Sequence, residues 1–323
     1  MDLGRGKLAT LFSGIVIFIL SLYFGGLQST VDALCASDPL IFLVALGVSM
    51  VGIFSNSLTW YYSMKISGAK IPFFKSLYVY SSGIIASILL PIADIPGDLT
   101  RIYLLKENKK EFFASIKSAV LCRLCFAVPT VTGLSMFLLL KFFPIPYLVP
   151  FYIWPCMLLA LLFLFFLPKF TILMCDFLRR IERIKKVKKV EDFLGKVGEE
   201  TRKLKKTDMI FYWSMGHVDM FFDILTYFFS LLTIGVYPDF LHMLIAYVLI
   251  TYFYLIPIPI PGGFGVTEGF LSFVYLGFNI PLSKSLAAAI VTRVVRFWFP
   301  LLVSYGIVST FKFSEKRKPI HKS

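Results

Sequence analysis

Seven stretches of the sequence stay apolar over lengths close to the thickness of a lipid bilayer. A helix of about 20 residues crosses about 30 Å of hydrocarbon, and only a helix or a closed barrel satisfies its backbone groups there. The composition agrees, because 58% of the residues are hydrophobic, 16% are charged and the mean hydropathy is +0.79. These values exclude a water-soluble globule and predict an all-α polytopic membrane protein. The stretches are residues 8–25, 39–60, 118–140, 149–167, 210–233, 241–260 and 285–311.

Two further apolar segments are interrupted by proline and glycine beside an acidic residue. They are residues 72–101, with Pro96-Gly97-Asp98, and residues 257–280, with Pro261-Gly262-Gly263. Broken backbone at membrane depth is tolerated only where protein buries it or where it lines a wet cavity. We therefore expect six to eight transmembrane helices plus one or two re-entrant hairpins. Opposed broken segments in the two halves of a chain also indicate an inverted pseudo-repeat with a site near the midplane.

The distribution of basic residues predicts the orientation of the chain. Arg5 and Lys7 precede the first apolar stretch and Asp32 follows it, so the positive-inside rule places the N-terminus in the cytoplasm. Both flanks of residues 72–96 are basic, so this segment is expected to return to the side that it left. The second hairpin would join 241–260 to 264–280 from outside, although charge parity also allows a full crossing. The tail is also basic, which places the C-terminus in the cytoplasm. The prediction is therefore a multi-pass cell-membrane protein with both termini in the cytoplasm.

The domain prediction is a single integral membrane domain, residues 1–323. Its halves, 1–168 and 210–311, flank a basic amphipathic segment, 169–209, with 13 basic and seven acidic residues, and the tail is 312–323. The segment is expected to lie on the anionic cytoplasmic leaflet, and a regulatory or partner-binding role is the alternative. The net charge of +14 does not predict a nucleic-acid partner, because the Lys and Arg residues lie between apolar spans and in the tail.

Charged residues inside the apolar stretches are the first candidates for a functional site. A charge at the centre of a span costs about 2.5–3.5 kcal/mol on insertion scales, so it normally faces a partner or a watery cavity. Asp219 and Asp223 lie four residues apart and share a helix face, while Arg123, Arg293 and Arg296 are the available counter-charges. Two hypotheses stay open: structural ion pairs, or arginines that receive a lipid phosphate while the acids orient them.

The second broken segment combines a helix stop with an acidic residue. Pro261, Gly262, Gly263 and Gly265 end one helix and allow close approach of the backbone, and Glu268 falls in the first turns of the next helix. The exposed amides and the positive helix end suit an anionic headgroup or Glu268 itself. A plain helix-breaking loop with a capping glutamate is the alternative.

The first broken segment offers a local pair, because Asp98 and Arg101 are three residues apart and a helix places them on one face. A surface ion pair at a helix start is the alternative. The three histidines have no metal-ligand company in the sequence, and there is no Gly-x-Ser-x-Gly, P-loop or HExxH pattern. We therefore expect no metal, no cofactor and no enzymatic activity.

The two broken segments resemble the lysylphosphatidylglycerol synthase transmembrane-region family, also called the flippase-like domain family. The similarity rests on PIPGGFGVTEGF and LLPIADIPGDLTRIYLL, and extends to AAAIVTRVVRF, where the family usually has an arginine like Arg293. It implies a membrane domain that moves or binds lipids, as in proteins that translocate aminoacylated phosphatidylglycerol and in relatives tied to lipid-linked glycans. The sequence ends at Ser323 without the soluble domain that attaches the amino acid, so lipid aminoacylation by this chain is not expected.

The leading hypothesis is a flippase for an anionic or modified phospholipid or a polyprenyl-phosphate-linked lipid. One alternative is a membrane subunit in lipid-linked glycan assembly, with a glycosyltransferase or lipid-modifying enzyme as its partner. The other is a small-solute secondary transporter. Membrane lipids are the expected ligands, and an oligomer stays open.

Overall fold

The computed structural model describes residues 26–89, 95–142, 149–180, 202–254 and 261–316, with a few isolated positions outside these ranges. Every regular element in that part of the chain is helical, which confirms the all-α prediction. The elements are α1 (Leu27–Cys35), α2 (Pro39–Ile66), α3 (Phe73–Leu89), α4 (Ile95–Leu104), α5 (Lys109–Phe142), α6 (Val149–Arg180), α7 (Lys206–Thr233), α8 (Phe240–Tyr254), a 3-10 turn (Pro261–Gly263), α9 (Val266–Leu276), α10 (Leu282–Arg293), a π-helical turn (Val294–Trp298) and α11 (Phe299–Lys316).

Four helical stretches in the described ranges are long and apolar enough to cross a membrane. They are Pro39–Ile66, Lys109–Met136, Lys206–Thr233 and Leu282–Phe311, and the shorter apolar helices are Phe73–Leu89, Ile153–Leu167, Leu241–Phe253 and Val266–Leu276. Of the seven predicted stretches, 8–25 falls outside the ranges that the structure describes. The total of six to eight crossings, the re-entrant paths and the cytoplasmic termini stay predictions.

The structure describes the two ends of the basic segment predicted at 169–209. Residues 169–180 are the last residues of α6. At the other end, α7 begins at Lys206. The amphipathic helix expected between these helices lies mostly outside the described residues.

The chain divides into two compact units that do not coincide with its two halves. The first unit comprises Met1–Leu58, Ile71–Glu107 and Phe221–Ser323, and the second comprises Thr59–Lys70 and Asn108–Met220. Helices α2 and α7 are long enough that each contributes residues to both units. Within the first unit, α3 packs against α4 and α11, α9 packs against α10, and the 3-10 turn touches α3. The two broken segments therefore belong to the same unit.

The second unit is held by close helix approach and by a network of internal hydrogen bonds. A Cβ at Gly216 in α7 would lie 2.7 Å from the Cys125 carbonyl oxygen in α5, so only glycine lets these helices come this close. The hydroxyl of Tyr212 donates to Ser63 Oγ at 2.9 Å. Both ring nitrogens of His217 are engaged, with the Trp213 carbonyl at 2.8 Å and Thr132 Oγ1 at 3.0 Å. These polar groups thus satisfy one another in an apolar setting.

Candidate functional site

The backbone of the second broken segment takes a conformation that only glycine adopts readily. Gly262, Gly263 and Gly265 have φ values of 64°, 62° and 81°, in the left-handed region. Pro261 begins the 3-10 turn, and Gly265 is the N-cap of α9. These residues bring the turn close to α10, where Arg293 lies.

Glu268 and Arg293 close this turn from inside the protein. One carboxylate oxygen of Glu268, Oε2, accepts a hydrogen bond from the Gly265 N–H at 2.8 Å, and the other, Oε1, lies 3.0 Å from Arg293 Nε. Arg293 Nη2 donates to the Gly262 carbonyl oxygen. Both charged side chains are buried, with 3% and 8% of their surfaces exposed. We call Gly262, Gly265, Glu268 and Arg293 the glycine clasp.

Glu268 and Arg293 occupy the helix start and the amides that the sequence indicated as a candidate site for an anionic headgroup. Glu268 itself occupies the helix start, as in the capping alternative, and its carboxylate caps the Gly265 N–H, which is the glutamate half of a capping box. The guanidinium of Arg293 lies 3.9 Å from the centre of the Phe297 ring, which covers one of its faces. In this conformation the clasp ties α9 and α10 to the turn through charge, and a ligand would have to break it to reach Arg293.

Arg101 is buried and forms a second ion pair, with the partly buried Asp98, in the first broken segment. Its Nη1 donates to Asp98 Oδ1 at 2.9 Å, and its guanidinium lies 4.4 Å from the centre of the Tyr80 ring. Arg101 is 4% exposed, so the surface-pair alternative does not describe it. A Cβ at Gly83 would overlap Arg101 Nε, so the missing side chain of Gly83 makes the space for the guanidinium.

Gly83→Ala is expected to lower the thermal unfolding midpoint in detergent, because the new methyl group displaces Arg101 from Asp98 and Tyr80. The sign is informative, since alanine is otherwise favoured over glycine inside a helix by about 1 kcal/mol. Gly47→Ala in α2 is the matched control, because a Cβ there meets nothing within 4 Å. Equal midpoints for the two variants would contradict this role of Gly83.

A third pair joins Asp223 in α7 to Arg296 in the π-helical turn. Asp223 Oδ1 lies 2.9 Å from Arg296 Nη2, and the side chains are 29% and 25% exposed. The Arg296 guanidinium also lies 4.7 Å from the centre of the Tyr227 ring. Unlike the other two pairs, this one is partly open at the surface of the first unit.

Asp219 and Arg123 belong to the second unit, where both are half-buried and engaged in interactions. The sequence placed Asp219 and Asp223 on one helix face, but only Asp223 belongs to the unit that carries the three pairs. Four further residues of these sites were not predicted from the sequence: Tyr80, Gly83, Tyr227 and Phe297. The signal for Tyr227 and Phe297 was present, because each follows its charged neighbour, Asp223 or Arg293, by four residues.

A comparison with family models matches residues 8–304 to the model described as the lysylphosphatidylglycerol synthase TM region. The chain belongs to this family. A search of curated proteins finds no match. As a member of the lysylphosphatidylglycerol synthase transmembrane-region family with several long apolar helices, this is a multi-pass membrane protein of lipid-related processes. The clasp and the two other pairs all lie inside the matched range.

Proposed function

We propose that this protein is a flippase that moves an anionic or modified phospholipid, or a polyprenyl-phosphate-linked lipid, between the leaflets. The observation that carries the proposal is the Asp223–Arg296 pair. Both residues lie inside helical stretches long enough to cross a membrane, yet both side chains are about a quarter exposed. A charge that is accessible at such a position is costly in hydrocarbon, so it normally faces a water-filled cavity or a substrate path.

The charges suit a path for the headgroup while the lipid tails stay in the bilayer. A phosphate that enters the hydrocarbon region needs replacement for its lost hydration, and a guanidinium supplies donors in a fork that matches phosphate oxygens. Arg296 is about a quarter exposed, whereas Arg101 and Arg293 are buried. In this mechanism the pairs of the two buried arginines hold the broken segments in place and the Asp223–Arg296 pair meets the headgroup.

The test is lipid exchange in liposomes that contain the purified protein and a tail-labelled fluorescent lipid. An external reductant quenches only label in the outer leaflet. With wild-type protein it should quench more than the fraction of label that starts there, because lipid from the inner leaflet is carried outward. Arg296→Gln should slow this exchange, because it removes the accessible phosphate donor. Lys110→Gln, at an exposed lysine at the start of α5, should exchange at the wild-type rate.

Two results would count against the proposal. If wild-type protein accelerates no lipid among phosphatidylglycerol, phosphatidylethanolamine and a polyprenyl phosphate, the flippase proposal is wrong and a role in lipid-linked glycan assembly takes its place. If Arg296→Gln and Lys110→Gln exchange lipid equally fast, the headgroup path does not pass Arg296.

A further inference from the structure

The Asp223–Arg296 pair is more exposed than the other two pairs of the first unit, and it lies far from the ends of its helices. Arg296 lies about 21 Å along its helix from Leu282, and the stretch Leu282–Phe311 is about 45 Å long at 1.5 Å per residue. Asp223 lies about 26 Å from Lys206 in a helix of about 42 Å. Both positions are close to the middle of a span. A ligand that moves between leaflets must pass this level.

The backbone around Arg296 is built around an interruption of the helix. Residues Val294–Trp298 form a π-helical turn, in which the N–H of Phe299 reaches back to the Val294 carbonyl. The next carbonyl, that of Val295, accepts a hydrogen bond from Ser49 Oγ in α2 at 2.8 Å. Such turns recur at functional sites. Arg293 and Arg296, on either side of the start of this turn, bind acids on different helices, α9 and α7.

The guanidinium of Arg296 is positioned before any ligand arrives. Tyr227 is 2% exposed, and its ring lies 4.7 Å from the guanidinium carbon. This cation–π contact and the Asp223 carboxylate hold the Arg296 head from two directions. Asp223 and Arg296 carry opposite charges, so the pair itself has no net charge.

This neutrality discriminates between classes of headgroup. A headgroup that carries only negative charge meets the Asp223 carboxylate beside Arg296, and this carboxylate repels it. A headgroup with a phosphate and an ammonium replaces both halves of the pair, since the phosphate accepts from Arg296 and the ammonium faces Asp223. Because Asp223 and Arg296 lie within contact distance of each other, a headgroup whose phosphate and amine are joined by a short linker can reach both.

We propose that Asp223 and Arg296, with Tyr227 as a positioning residue, form a headgroup subsite selective for zwitterionic phospholipids, whose phosphate and amine are separated by a short linker. This inference rests on the proposed flippase function and favours a zwitterionic phospholipid over the purely anionic lipids among its proposed substrates. Phosphatidylethanolamine has the required headgroup chemistry, and phosphatidylglycerol is the matched anionic lipid that lacks the amine.

The experiment compares exchange of tail-labelled phosphatidylethanolamine and phosphatidylglycerol in identical liposomes. Wild-type protein should exchange phosphatidylethanolamine about tenfold faster, the lower end of what one hydrogen bond to a charged group contributes. Asp223→Asn should bring the ratio close to one or reverse it, because the subsite becomes positively charged. Asp223→Glu should retain the preference. Asp239→Asn, at an exposed acid before α8, is the control that should leave the ratio unchanged.

A second measurement separates failure of this inference from failure of the flippase proposal. Purified protein is mixed with equal amounts of the two lipids in detergent, and the lipid retained is counted by native mass spectrometry. If wild-type protein exchanges lipid with no preference, or prefers phosphatidylglycerol, the subsite assignment is wrong while the flippase function stands. If it exchanges neither lipid, the flippase function is wrong, and equal retention of the two lipids overturns the subsite as well.

Discussion

Glu268→Gln is expected to destabilise the protein by about 3–5 kcal/mol, the usual cost of removing one partner from a buried ion pair. Glutamine has nearly the shape of glutamate, and its amide oxygen can still accept from the Gly265 N–H. The packing around the clasp is therefore preserved, and what is lost is the negative charge beside Arg293. Arg293 is 7% exposed, so its guanidinium would stay buried without its counter-charge. Denaturant titration in micelles measures the difference in unfolding free energy.

A double-mutant cycle distinguishes the ion pair from other effects of the substitution. Glu268→Gln combined with Arg293→Gln should be more stable than the sum of the two single changes predicts, since it leaves no unpaired charge. Asp239→Asn is the matched control, because its carboxylate is 84% exposed and lies 3.7 Å from His242. That change should stay within about 0.5 kcal/mol. If the losses of unfolding free energy from the two single changes simply add in the double variant, Glu268 and Arg293 are not coupled.

Gly262→Ala is expected to cost about 2–5 kcal/mol and to disturb the clasp from the backbone side. A φ of 64° costs about 1–2 kcal/mol for a residue with a Cβ, and forcing atoms into a packed site adds about 1–3 kcal/mol. The new Cβ would lie 2.7 Å from two ring carbons of Phe297 and 3.2 Å from Arg293 Nη2. Because Phe297 supports the Arg293 guanidinium, the methyl group acts on both.

Gly235→Ala separates the two contributions to this cost. Gly235 has a φ of 70°, but a Cβ there meets nothing within 4 Å. Its substitution therefore carries the backbone cost without the contact cost. Unfolding measurements on both variants should show Gly262→Ala as the less stable by about 1–3 kcal/mol. Equal values would mean that Phe297 and Arg293 move aside freely, and that the clasp is not tightly packed.

Local spacing was enough to predict some of these contacts. Asp98 and Arg101 are three residues apart on one helix, so forming α4 brings them together whatever surrounds it. The same holds for Glu268, which reaches the Gly265 amide across a single turn. The break at Pro261-Gly262-Gly263 was also readable, because proline and consecutive glycines stop a helix through their own backbone chemistry.

The partners of Arg293 and Arg296 could not be assigned in the same way. Three arginines and several acids in apolar stretches allow many pairings, and each satisfies the same electrostatic need. The structure pairs Arg293 with Glu268, 25 positions earlier, and Arg296 with Asp223, on α7. It also shows that the first pair is buried and the second partly open. That difference carries the proposed roles of clasp and headgroup subsite.

Three properties of this protein follow from its amino-acid order: the chain forms apolar helices, two of its segments are interrupted, and charge inside the apolar stretches must be compensated. These properties follow from the solvent and from near neighbours: hydrocarbon leaves unpaired backbone groups unsatisfied, and helix spacing brings residues three or four apart together. Tertiary packing alone decided which arginine meets which acid, that Gly83 makes room for Arg101, and that Asp223 and Asp219 belong to different units. Such contacts join residues far apart in the chain, and only the packing of whole helices sets their distances and exposure.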